Sequence, residues 1–141
     1  MVVVKSTVVP GTTDGVVRPI LEETSGRKAG AGFGLGMNPE FLTEGVALED
    51  FMHPDRIVVG GIDERSIAVQ REVYAPFSGV PVIATNNSTA EMIKYASNSV
   101  LATLISFSNE FATLCAALGD IDIADVMRGV HEARYFTPAT A

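Results

Sequence analysis

The 141-residue sequence predicts an α/β fold that leads into one long helix. Two patterns carry the prediction. Short β-branched runs at residues 2–4, 56–60 and 81–84 alternate with helix-forming stretches, as in strands layered with helices. From Ser88 to Leu118, apolar residues then recur at seven-residue spacing. A hydrophobic share of 47% suits one packed, globular domain at this length.

Val2-Val3-Val4 reads as a buried parallel strand. Pro10-Gly11 marks a turn. Thr12 or Thr13 can cap a helix to about Glu23, with Val16, Val17, Ile20 and Leu21 on one face. Gly26 to Gly36 holds five glycines and reads as a loose connection. Its Gly30, Gly32, Gly34 spacing lacks the preceding strand and following helix that a phosphate loop requires. After the strand at 56–60, Asp63 can cap a helix to about Tyr74, and Pro81-Val82-Ile83-Ala84 is a third strand.

Ser88-Thr89-Ala90-Glu91 has the form of a capping box, with Glu91 placed to reach back to the start of its own helix. That helix is predicted to run to about Leu118 and stop at Gly119. Ile93, Val100, Phe107 and Leu114 form one row, and Leu104, Phe111 and Leu118 a second. The stripe is too apolar to face water, so the helix is expected to pack on a partner. Asp122 caps a last short helix with Ile123, Val126, Met127 and Val130 on one face. The expected division is 1–86 and 87–141.

The net charge is −7, with 10 basic residues against 17 acidic ones. This balance argues against a nucleic-acid footprint and against attraction to anionic membranes. One cysteine permits no intrachain disulfide and suits a cytoplasmic protein. Met1–Val4 is too short for a signal-peptide core and Lys5 interrupts it. No apolar run is expected to reach membrane length; residues 100–118 come closest, but Thr103, Ser106, Ser108, Asn109, Glu110 and Thr113 break them up.

Lys94 and Asn98 lie four apart, which on a helix places them on one face. Glu40 and Glu44 flank a tight loop within Asn38–Gly45. A cation, an amide and two acids converging on one cleft suit carbonyl and alcohol chemistry. Two loop acids are more often simple surface groups, and a Thr at a strand end, such as Thr7, is more often a turn residue. A lysine among apolar neighbours is uncommon without a function, and burial would lower its pKa toward neutrality. His53 and His131 stand alone without metal-ligand spacing, so no metal is expected. Cys115 sits beside Leu114 in an apolar setting and reads as a buried core thiol.

Three blocks occur in order: Lys5-Ser6-Thr7-Val8-Val9-Pro10-Gly11-Thr12-Thr13, then Asn38-Pro39-Glu40-Phe41-Leu42-Thr43-Glu44-Gly45, then Ala90-Glu91-Met92-Ile93-Lys94-Tyr95-Ala96-Ser97-Asn98. Together they resemble the UDP-glucose/GDP-mannose dehydrogenase family over nearly the whole chain. Val9 stands where that family frequently has Pro. The resemblance implies the trailing, C-terminal part of a Rossmann-like NAD-binding domain, to about residue 86. A central helical segment then forms a homodimer through residues 88–118. The chain then looks like a middle portion, truncated at both ends.

The implied activity is NAD-dependent oxidation of a nucleotide sugar, at its C6 alcohol, to the uronic acid in two hydride transfers. By the same resemblance, Thr7 orders a catalytic water and, with Ser6, borders the nicotinamide. Glu40 handles water and protons. Glu44 lies near the nicotinamide ribose. Phe41 and Leu42 hold the sugar nucleotide through their backbone. Lys94 and Asn98 contact the sugar and stabilise the charge developing at C6. Arg134 occupies the neighbourhood of an arginine that reaches the neighbouring subunit's substrate site. The family's thioester-forming cysteine lies in a Gly-Gly-x-Cys loop beyond the end of this chain, so the isolated chain is expected to be inactive. The alternatives are a non-catalytic dimerisation or nucleotide-sugar-binding module, or a 6-phosphogluconate or β-hydroxyacid-type dehydrogenase, which shares the Lys-x-x-x-Asn pair but lacks the Pro-Glu-Phe-Leu-x-Glu-Gly word.

Overall fold

The computed structural model describes residues 1–133. They fall into two compact units, Met1–Ser97 and a second beginning at Asn98. Arg134 lies outside the described residues.

The first unit is built on a four-stranded sheet in the order β1 (Val2–Val4), β2 (Leu35–Met37), β3 (Ile57–Gly61), β4 (Val82–Thr85). β1 and β2 run parallel, as do β3 and β4, but β2 and β3 are antiparallel. The carboxyl ends of β1 and β2 therefore share one rim of the sheet with the amino end of β3. Between β1 and β2, a π-helical turn at Thr13–Val17 continues into α1 (Arg18–Ser25). A short α2 (Ala47–Met52) leads into β3, and α3 (Glu64–Val73) links β3 to β4. Met37, Val58 and Ala90 form the core cluster, with Val4, Val8, Phe41 and Ile93 packed against it.

α4 (Asn87–Leu118) starts where β4 ends. Its first turns lie against β3 at Gly60, where an added Cβ would stand 2.9 Å from the Ala90 side chain and 3.0 Å from the Asn86 carbonyl oxygen. Only glycine allows that approach. Ser97, three turns on, meets Arg56 at the start of β3. Over these turns α4 thus runs back along the sheet to the rim where β1 and β2 end.

Several expectations are met. Asp63 caps α3 by accepting from the Ser66 amide, and Asp122 caps α5 (Ile123–His131) by accepting from the Ala124 amide. α4 ends at Leu118, and the Gly119 amide closes it on the Cys115 carbonyl. Cys115 is buried. Others are corrected. The Gly26–Gly36 stretch is no simple loop, because Leu35–Met37 is a buried strand paired on both sides. Neither Thr12 nor Thr13 caps the first helical turn with its side chain. The helix cap at α4 is Asn86, whose Oδ1 accepts from the Thr89 amide, and Glu91 bonds elsewhere. β1 is parallel as expected, but Val2 and Val3 are exposed rather than buried.

In the second unit, α5 touches α4 where the Ser108 hydroxyl meets Met127 Sδ at 3.4 Å. Much of the α4 stripe is open: Val100 is 59% exposed, Leu114 51% and Leu118 66%. By length and composition α4 is also apolar enough to cross a membrane, contrary to the sequence expectation. The core helix of a soluble protein passes the same test when it is buried, whereas this stretch is mostly exposed in the described residues.

Candidate active site

The geometry starts from an unusual helix face. Asn87, Glu91 and Lys94 follow one another at spacings of four and three, so they line one side of α4. All three are buried, at 1%, 1% and 6% exposure. Buried polar groups are unfavourable unless partnered. Asn87 Nδ2 donates to Asp14 Oδ1 at 2.9 Å. Glu91 accepts from the Gly11 amide at 2.5 Å and from the Thr13 amide and hydroxyl at 2.8 and 2.6 Å. Lys94 Nζ pairs with Glu40 Oε1 at 3.3 Å and lies 5.3 Å from the Phe41 ring centroid.

Glu40 comes from the loop that leaves β2. Partial burial pushes its carboxyl up. The Leu42 amide, the Lys94 charge and the Thr7 hydroxyl beside it outweigh burial, and hold it below the ordinary 4.5. The Leu42 N–H donates to Glu40 Oε2 at 2.7 Å, so the loop curls round its own carboxylate. The next amide, Thr43, donates to Asp50 Oδ2 at 2.7 Å. Phe41 carries the Arg56 guanidinium over its ring, 4.1 Å from the centroid, and Arg56 Nη2 donates to Ser97 Oγ at 3.3 Å.

Asn38 anchors the base of the loop. Its Oδ1 accepts from Lys5 Nζ at 2.5 Å and from the Tyr74 hydroxyl, while its Nδ2 donates to the Val58 carbonyl at 2.8 Å. A cavity of about 180 Å³ opens beside this loop, lined in part by Lys5, Asn38, Glu40, Phe41, Arg56 and Tyr74. It is smaller than a pocket for a whole nucleotide. Thr7 and Lys94 do not line it.

Of the residues singled out from sequence, Thr7, Glu40, Phe41 and Lys94 come together on this rim. Leu42 joins through its backbone. Ser6 and Glu44 are exposed. Asn98 is also exposed, one turn beyond Lys94 in α4, and belongs to the second unit. No cluster of metal-ligating side chains occurs among the described residues. The sequence reasoning missed Lys5, Asn38, Arg56 and Tyr74 as supports of the loop. It gave Glu91 a local role only. The regular Asn87, Glu91, Lys94 spacing was the available signal for that residue.

An α/β sheet whose rim gathers a lysine, a carboxylate and a hydroxyl at a strand's carboxyl end belongs to the ligand-binding class of such folds. The chain's relatives narrow that class. The model of the UDP-glucose/GDP-mannose dehydrogenase family, NAD binding domain, matches residues 1–78, and that of the family's central domain matches residues 88–140. The chain belongs to the UDP-glucose/GDP-mannose dehydrogenase family. It is 46% identical over 134 residues to the UDP-glucose 6-dehydrogenase AglM of Haloferax volcanii, covering 92% of this chain and 31% of that protein. It is 44% identical over 129 residues to the GDP-mannose 6-dehydrogenase of Azotobacter vinelandii, covering 92% and 29%.

Among solved structures, a ternary complex of GDP-mannose dehydrogenase from Pseudomonas aeruginosa superposes with a TM-score of 0.88 at 39% identity, over 95% of this chain and 32% of that one. A UDP-glucose dehydrogenase from Pyrobaculum islandicum gives 0.85 at 45% identity, over 94% and 30%. The chain thus spans about a third of the length of these relatives. NAD is the family's cofactor. Ser6 and Thr7 form an exposed polar lip just past the carboxyl end of β1, the end of a strand at which open α/β sheets bind ligands. Among the described residues no glycine-rich loop stands between a strand and a helix in the manner that holds a pyrophosphate.

Proposed function

We propose that these residues form part of the reaction site of an NAD-dependent dehydrogenase that oxidises the C6 alcohol of a UDP- or GDP-sugar to the uronic acid. The convergence of Lys94, Glu40 and Thr7 on one rim supports this most strongly. NAD, when bound, supplies the hydride acceptor. The Lys94 ammonium, desolvated and aimed at the rim, offers charge stabilisation to the substrate oxygen as it loses its proton. Glu40, held in its ionised form, is suited to take a proton from water in the hydrolytic step. The Thr7 hydroxyl orients that water. Asn98 shares the sugar contact with Lys94, and the backbone of Phe41 and Leu42 holds the sugar nucleotide. A ligand that bonds the Leu42 amide must displace Glu40 Oε2, which couples sugar binding to the freedom of the carboxylate. Ser6 and Glu44 border the nicotinamide and its ribose. Arg134 serves the substrate site of a second copy.

The chain is proposed to self-associate through residues 88–118 and to act in the cytoplasm, without nucleic-acid or membrane partners. Alone it is expected to form no NADH, because among the described residues no glycine-rich loop is placed to hold the cofactor's pyrophosphate. Its single thiol, Cys115, is buried in α4 and is not offered to an aldehyde for the second oxidation. The test is chemical-shift mapping of the 141-residue chain with UDP-glucose and GDP-mannose, alongside an NADH absorbance assay. Shifts centred on Thr7, Glu40, Phe41 and Lys94 are expected, with no NADH. NADH formation would refute the inactivity. A ligand-insensitive rim would favour the non-catalytic dimerisation module.

A further inference from the structure

Glu91 is the most deeply buried acid on the α4 face, and its donors all come from one short segment of chain. It forms no ion pair among the described residues. The segment is the turn that follows Thr7. Val9-Pro10-Gly11-Thr12 closes with the Thr12 amide on the Val9 carbonyl at 3.1 Å. Pro10 at its second position and Gly11 at its third, with φ of +93°, give it a type II form. One turn earlier in α4, Asn87 holds Asp14. One turn later, Lys94 holds Glu40, which has the Thr7 hydroxyl beside it. The same helix face therefore grips the chain at Thr7 through Glu40, and a few residues downstream through Glu91.

We infer that Glu91 is a positioning residue, which fixes where Thr7 stands relative to Lys94 by clamping the Gly11–Thr13 turn onto α4. Its catalytic meaning rests on the function proposed above, but its geometry can be tested with no nucleotide present. Both Glu91 oxygens serve as acceptors, Oε2 for Gly11 and Oε1 for Thr13. Glutamine would turn one of them into a donor that faces an N–H.

The experiment follows amide exchange and chemical shifts in the 141-residue chain without ligand. In Glu91→Gln, the Gly11 and Thr13 amides are expected to exchange roughly tenfold faster or more. Amides of α3 and β3 should stay unchanged, while the Thr7 and Glu40 resonances move. Thr13→Val removes only the hydroxyl donor and should move the same resonances by less; Thr13→Ser should restore them. If Glu91→Gln does not fold, the Thr13 pair decides. Unmoved Thr7 and Glu40 resonances in a folded Glu91→Gln or Thr13→Val chain overturn the proposal and leave Glu91 a packing residue. Failure of the unsubstituted chain to bind a nucleotide sugar in the separate shift-mapping test, with its Gly11 and Thr13 amides protected, counts against the proposed function and not against the clamp.

Discussion

Glu40 concentrates the chemistry of the rim on one carboxylate. Burial works against its charge, and the Leu42 amide, Lys94 and Thr7 more than offset it. The folded state therefore favours the ionised form. The stabilisation this gives is complete above the ordinary value of 4.5 and is lost as pH falls through the lowered value. Glu40→Gln is expected to lower the urea midpoint near neutral pH, with the gap to wild type closing as the solution is acidified below 4.5. A gap that stays constant across that range would contradict the assignment. The meeting of Glu40 and Lys94 was open to sequence reading because both sit in long, specific words. Glu91 was not, because a capping box describes bonds within one helix and its real donors lie 78 to 80 residues away.

At the scale of elements, the close contact between β3 and the start of α4 brings Lys94 to the rim. Gly60→Ala would press a methyl group against Ala90 and the Asn86 carbonyl. We expect a loss of about 1–3 kcal/mol, the usual cost of overpacking. Chemical denaturation of the variant measures it, and an unchanged stability would mean that the contact is looser than described. β3, α3 and the end of α4 were legible because their signals are local: a β-branched run, an aspartate cap, a glycine stop. β2 was not. Leu35-Gly36-Met37 is too short and too glycine-rich to show a period, and its pairing with β1 and β3 makes it a strand. The cap at Asn86 was missed because Ser88 imitates one two residues later.

On the scale of the whole molecule, the apolar rows of α4 stand largely exposed, with the Phe107 and Phe111 rings in tilted contact at 4.5 Å between centroids. The sequence spacing announced that stripe, but no sequence rule says what covers it. A second copy of the chain is the proposed cover. Val100→Glu combined with Phe107→Glu is expected to convert a sedimenting dimer into a monomer and leave the first unit folded. A wild-type chain that sediments as a monomer at high concentration would remove the dimer from the proposal.

The mixed direction of the sheet also bears on how the protein reaches its folded state. Lys94 and Glu40 are 54 positions apart, and Glu91 and Thr13 are 78 apart. Closing such long loops costs entropy before any bond rewards it. The rim exists only where the loop after β2 and the start of α4 meet, so a nascent chain cannot form it until residues beyond Lys94 have left the ribosome.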